Sequence, residues 1–271
     1  MSPAAGIGVT PGAVLLGTVA LEPNRWATVD ASGAPVADLH AIADDVRTTR
    51  CDGLELWERH LPDDDDRAAA LLGALPAVAI LSSYVGFDRD DPSAWEAVAD
   101  RVRTSGARAV KFNVGADPSL EHVYGERVAQ LVELVPDDVG LLCECHHGIS
   151  IAEDPVVAAR VLAAAGPPER VGAIVHTHET AEHLRARFDA YGERIRHVHV
   201  NYLDPTTLTV PPLQDRADDL AAKVELLRRL GFDGSWTLEF VEGVLTDHDE
   251  PAALVAQAAD DLEVLRAVLA V

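Results

Sequence analysis

Short apolar runs alternate with longer amphipathic stretches along the whole chain. The runs cover residues 13–21, 53–57, 77–83, 109–114, 139–145, 171–177, 195–200 and 235–241. Most are short and rich in Val, Ile and Leu, the pattern of strands buried on both faces. Between them, helical periodicity predicts helices over 36–49, 66–74, 92–104, 120–134, 155–165, 180–191, 218–230 and 252–269. Border signals agree: Asp91-Pro92 and Asp154-Pro155 each read as an N-cap followed by proline in the first turn, and Gly231 stands where a helix should stop. Eight strands alternating with eight helices predict parallel strands joined by crossover helices. The count favours a closed (β/α)8 barrel over an open doubly wound sheet, and no G-x-G-x-x-G follows the first run. No low-complexity linker or break in composition interrupts the rhythm, so 1–271 reads as a single α/β domain.

Charge narrows the partners. Lys and Arg total 22 against 45 Asp and Glu, a formal charge of −23. Such a surface repels nucleic-acid backbones and anionic membranes. The three cysteines, Cys51, Cys143 and Cys145, suit a reducing compartment and not a disulfide framework. No run approaches the roughly 18 apolar residues of a membrane span, and no basic-then-apolar leader opens the chain. A cytoplasmic location is expected.

The chemistry lies in the parity of the later strands. In a barrel, alternate side chains face the lumen, and the active site forms at the C-terminal strand ends. In the fifth run, Gly140-Leu-Leu-Cys-Glu-Cys-His146, Glu144 and His146 share a face while both cysteines face the helices. In the sixth, His176 and His178 share a face. In the seventh, Arg196-His-Val-His-Val-Asn201, the valines face out and His197 and His199 face in. In the eighth, Leu238 and Phe240 face out, so Glu239 faces in. Each residue alone has a plain structural reading. Four consecutive strands ending in inward Glu or His do not, because burying such groups unpaired costs several kcal/mol each. A divalent cation removes that cost; two carboxylates plus imidazoles suit Mn, Co, Zn, Fe or Mg, and mixed oxygen and nitrogen donors favour Mn, Co, Fe or Zn over Ca.

From Val139 to Glu242 the sequence resembles the sugar phosphate isomerase/epimerase family of xylose-isomerase-like TIM barrels. The likeness rests on Glu144-Cys145-His146, the polar end of strand six at His176, His197-Val198-His199, and Glu239. More weakly, Gly53-Leu-Glu-Leu-Trp57 matches the family's second strand. The resemblance implies one divalent metal ion, Mn favoured, held by Glu144, His176, His199 and Glu239. It also implies that Glu144 and Glu239 shuttle protons on opposite faces of a substrate carbon. Three positions depart from the family: His176 replaces its Asp, Glu179 stands where a His often follows, and Asn201 stands where many members have Lys.

A metal beside a sugar carbonyl stabilises an enediolate, from which proton return gives an epimer or an isomer. Expulsion of a β-leaving group from the same enediolate would make the protein a dehydratase or lyase acting on a keto sugar or cyclitol. His146 and His178 are candidate substrate contacts, with orientation of Glu144 the other reading of His146. His197 reads as a packed core group. Lys111 is a candidate for neutralising an oxyanion, or else pairs with Glu55 or Glu144. Glu55 is its partner or a substrate contact. Trp26 and Trp57 are either core or sugar-stacking. The Pro- and Thr-rich segment 202–214 reads as a substrate loop over the mouth. Against rivals, the first strand lacks the His-x-His of amidohydrolase barrels, and the acidity opposes an abasic-site endonuclease. A barrel that has lost its metal is the noncatalytic alternative. The expected partner is a small carbohydrate, with a homo-oligomer allowed.

Overall fold

A computed structural model describes residues 8–24, 34–146, 148–243 and 250–271. Eight strands, β1 (Val14–Gly17), β2 (Gly53–Trp57), β3 (Val78–Ser82), β4 (Ala109–Phe112), β5 (Gly140–Glu144), β6 (Val171–His176), β7 (Ile195–Val200) and β8 (Ser235–Leu238), close into one parallel barrel in sequence order. The helices are α1 (Ala43–Thr48), α2 (Asp65–Ala74), α3 (Pro92–Ser105), α4 (Glu121–Leu134), α5 (Pro155–Ala165), α6 (Ala181–Tyr191), α7 (Ala217–Arg229) and α8 (Pro251–Leu269). The (β/α)8 architecture is the one the alternation predicts.

Local chemistry sets the borders. Asp91 accepts from the amide of Ala94, and Asp154 from those of Val156 and Val157, so both predicted caps satisfy donors that the helices leave orphaned. Gly231 takes φ +90° just after α7, a left-handed conformation that glycine adopts without penalty. Two elements fall furthest short of their predicted extent. The first apolar run leaves the sheet after Gly17 and coils into a 3-10 turn over Thr18–Leu21. Helix α1 begins only at Ala43, because the amides of Val36 and Ala37 are taken by the Glu22 carboxylate and those of His40 and Ala41 by Asp38.

The lumen is layered. Leu15, Ile80, Ala109, Leu142 and Ile174 form an apolar plug within the barrel. Two residues further along β4, β5 and β6 stand Lys111, Glu144 and His176, all buried. Strand β7 reaches this level through a bulge: Ala173 pairs with Ile195 but Ile174 with His197, so one residue is skipped and His176 comes opposite His199. A similar shift between β2 and β3 sets Glu55 opposite Ile80. On β1, Gly17 lets Glu239 approach, since a Cβ there would lie 3.1 Å from Leu238 O and 3.5 Å from Glu239 Cα. Among the described residues, no helix is long and apolar enough to cross a membrane.

Candidate metal centre

Glu144, His176, His199 and Glu239 meet at the C-terminal end of the barrel, each buried and each offering one ligand atom within 4.8 Å of the others. Strands β5, β6 and β7 and the residue just after β8 supply them, and the parity of β5 to β8, continued to Glu239, points all four inward. Lys111 Nζ lies 2.7 Å from Glu144 Oε2, and Asn113 Nδ2 donates to the same oxygen at 3.1 Å. The other oxygen, Oε1, is 3.1 Å from His176 Nε2 and 3.3 Å from His199 Nδ1. Glu239 Oε2 accepts from Asn201 Nδ2 at 2.7 Å and lies 3.6 Å from His199 Nδ1.

His199 is held by its far side. Its Nε2 sits 3.0 Å from Glu55 Oε2, so the carboxylate fixes the ring. Its Nδ1 is buried with no hydrogen-bond partner, between two carboxylates. An orphaned buried nitrogen of this kind costs about 1–3 kcal/mol unless something accepts its lone pair or its proton finds an oxygen. His197, one layer deeper, has both nitrogens matched, Nδ1 to Ser235 Oγ at 2.7 Å and Nε2 to Thr237 Oγ1 at 2.8 Å. It is the packed core group expected from its depth.

Charge supports the same fit. Three carboxylates (Glu55, Glu144, Glu239) and one ammonium (Lys111) converge here, and the Glu179 carboxylate beside His176 is balanced by Arg187. Two negative charges remain when both imidazoles are neutral, the complement of one divalent cation. Protons serve that role otherwise. Burial opposes charge on His199, but Glu55 and Glu239 hold its pKa well above the ordinary value. Burial likewise opposes charge on His176, yet the bond to Glu144 and the carboxylate of Glu179 raise it to about 9. Burial would lift the Glu144 carboxyl, but Lys111 and the two imidazoles hold it well below the usual range. Two carboxylates and two imidazoles within one buried cluster suit a borderline divalent cation such as Zn, Co, Fe or Mn.

The remaining sequence candidates divide. His146 and His178 line a cavity of about 370 Å³ beside His176, together with His183, Asn201, Leu203 and Pro205. Their rings lie 5.5 and 5.0 Å from that of His176. Leu203 and Pro205 belong to the predicted substrate loop, which is irregular as expected and does border this opening. Lys111 pairs with Glu144, and Tyr84 covers it with the ring centroid 4.1 Å from Nζ. Glu55 is not its partner: the β2 carboxylate stands behind His199, within the barrel. Trp57 is core, packed edge-on against His60, and Trp26 lies outside the described residues. Cys143 and Cys145 are buried free thiols in the layer between sheet and helices. Sequence reasoning gave no role to Asn113, Glu179, His183 or Arg187. Arg187 had a signal: it falls on the buried face of α6 with Leu184 and Tyr191, where an apolar residue would be expected.

No model of a known protein family matches the chain, and no curated protein matches it. Solved structures do. The IolI protein with a bound zinc atom superposes at TM-score 0.69 and 14% identity, over 94% of this chain and 98% of that one. A xylose isomerase domain protein from Alicyclobacillus acidocaldarius subsp. acidocaldarius gives TM-score 0.64 at 18% identity, over 96% and 100%. Endonuclease IV from Thermus thermophilus gives 0.59 at 16%, over 86% and 94%. At such identities the likeness speaks for the fold alone, and function must be argued from the site. The fold of this chain is that of the xylose-isomerase-like TIM barrels.

Proposed function

We propose that the protein is a divalent-metal-dependent isomerase or epimerase acting on a small carbohydrate. The observation that carries this reading is His199, tied at Nε2 to Glu55 while its Nδ1, with no well-aligned hydrogen bond, faces Glu144 at 3.3 Å and Glu239 at 3.6 Å. Glu144, His176, His199 and Glu239 would hold the ion; the zinc of the IolI structure and the two imidazole donors fit this assignment. Once bound, a divalent cation supplies Lewis acidity that eases loss of a proton from the carbon next to a carbonyl, as an enediolate.

The chain's own residues do the rest. Glu144 and Glu239 enter from β5 and from the end of β8, and we assign them the removal and return of that proton. Lys111 and Asn113 keep Glu144 ionised and turn Oε1 toward the cluster. Asn201 fixes Glu239. His146 and His178, on the wall of the 370 Å³ cavity, are assigned to substrate hydroxyls. The charge of −23 opposes the nucleic-acid chemistry of the endonuclease relative, so a small molecule is the assigned partner.

The test is twofold. Purified protein loaded separately with Mn, Co, Zn, Fe and Mg should bind about one ion per chain, and Glu239→Ala should not. With the loaded protein, solvent deuterium should enter keto sugars at the carbon next to the carbonyl. Exchange without loss of a group supports the isomerase or epimerase; elimination would make it a lyase; no metal under any loading would leave a noncatalytic barrel.

A further inference from the structure

We propose that Glu179, clamped by Arg187, is a positioning residue for His176, orienting that imidazole toward Glu144 and setting how tightly the cluster holds a borderline cation. The inference rests on the metal reading above.

Glu179 follows β6 and is 7% exposed. Its two oxygens face opposite ways. Oε1 accepts from the His176 amide at 3.0 Å and lies 3.8 Å from the ring Nδ1, on the side away from Glu144. Oε2 accepts from Arg187 Nε at 2.5 Å and stands 3.2 Å from His183 Nδ1. Arg187, 1% exposed, gives its other donors to Cys145 O at 2.6 Å, Tyr191 Oη at 2.6 Å and Ala152 O at 3.3 Å. One guanidinium therefore ties the residue after Glu144 to the carboxylate behind His176, across the β5–β6 seam.

A buried ion pair is a poor way to stabilise a helix–barrel contact, since apolar residues of similar volume do as well or better. What it supplies that leucine cannot is a fixed anion behind an imidazole. Were Nε2 to hold a cation, the ring proton would sit on Nδ1, 3.8 Å from Glu179 Oε1, where the carboxylate favours that tautomer by its charge and would make the ring a stronger donor. Arginine suits the place because its rigid planar fork reaches four acceptors at once, one more than the three donors of a lysine ammonium.

Zinc affinity by chelator competition and the visible spectrum of the Co2+ form, measured on the full chain, test this. Glu239→Ala should abolish binding. Glu179→Gln should weaken zinc roughly 10- to 100-fold, the usual effect of losing such an outer partner, and should change the Co2+ spectrum. Where Glu179→Gln fails to fold, Glu179→Asp keeps the charge beside Arg187 but withdraws the oxygen by one methylene, and Arg187→Lys loosens the clamp. Both should weaken zinc several-fold in a folded protein. A merely structural pair would lower thermal stability yet leave zinc affinity and the Co2+ spectrum of the folded variants unmoved, and that result overturns the proposal. Wild-type protein that binds neither zinc nor cobalt overturns it together with the metal reading. Wild-type binding that Glu239→Ala abolishes and the Glu179 variants leave intact overturns this inference alone.

Discussion

Two buried imidazole–carboxylate pairs in this barrel use the same residue types to opposite ends. In the first, His60 places Nδ1 3.0 Å from Thr18 Oγ1 and Nε2 3.0 Å from Glu22 Oε2. Glu22 in turn accepts from the amides of Asn24, Val36 and Ala37. Every polar atom has a mate, so the unit is closed and holds residues 34–37 to the barrel. In the second pair, His199 gives one nitrogen to Glu55 and leaves the other without a partner, facing two more carboxylates. That unit is open. The difference teaches that a buried histidine beside a glutamate signals nothing by itself; the unmatched nitrogen does.

The sharpest way to break the comparison is to delete each imidazole. His199→Ala should reduce metal binding below detection, whereas His60→Ala should leave the metal content of the folded protein unchanged. Equal loss in both would show that the open nitrogen has no special role. Next in size is the carboxylate behind the open ring. Glu55→Gln should keep the fold but weaken zinc about 10- to 100-fold, because a neutral amide replaces the anion behind the ring while the ligand nitrogen survives. Unchanged affinity would return Glu55 to a packing role.

The closed pair should answer in stability instead. Removing His60 takes one donor from the buried Glu22 carboxylate, which keeps its three backbone amides, at about 1–3 kcal/mol. Urea unfolding of His60→Ala should show a loss of that order. A change under about 1 kcal/mol would mean that the three backbone amides satisfy Glu22 without the imidazole.

How far the sequence led differs between the two units. The inward parity of Glu144, His176, His199 and Glu239 was legible because Val, Leu and Cys alternate with them along β5 to β8, and a period of two needs no knowledge of partners. The strand count was legible for the same reason. Glu55 was not, because its role depends on a contact across the lumen with a residue far away in sequence, and on a bulge between β6 and β7 that no local signal announces. The closed unit was invisible. Thr18 lies in a run that reads as strand but coils, and Glu22 overrides the helical pattern of 36–42 by capturing its amides. Tertiary hydrogen bonds defeat periodicity where the chain leaves the barrel, and periodicity holds where the sheet enforces it.

The smallest expected effect sharpens the comparison through pH. Burial raises the Glu22 carboxyl, but His60 and the three backbone amides outweigh it and hold the folded value below the ordinary 4.5. A carboxyl depressed on folding stabilises the protein fully above its unfolded pKa, and the contribution fades as pH falls toward the folded value. The stability gap between wild type and Glu22→Gln should therefore be constant from neutral pH to about 5 and shrink on further acidification. The carboxylates of the metal cluster titrate in both proteins and cancel in the difference, so the gap isolates the closed unit. Urea midpoints at half-unit steps between pH 6 and 3 measure it, and a gap that stays level down to pH 3 would mean that the Glu22 carboxylate contributes by shape and not by charge.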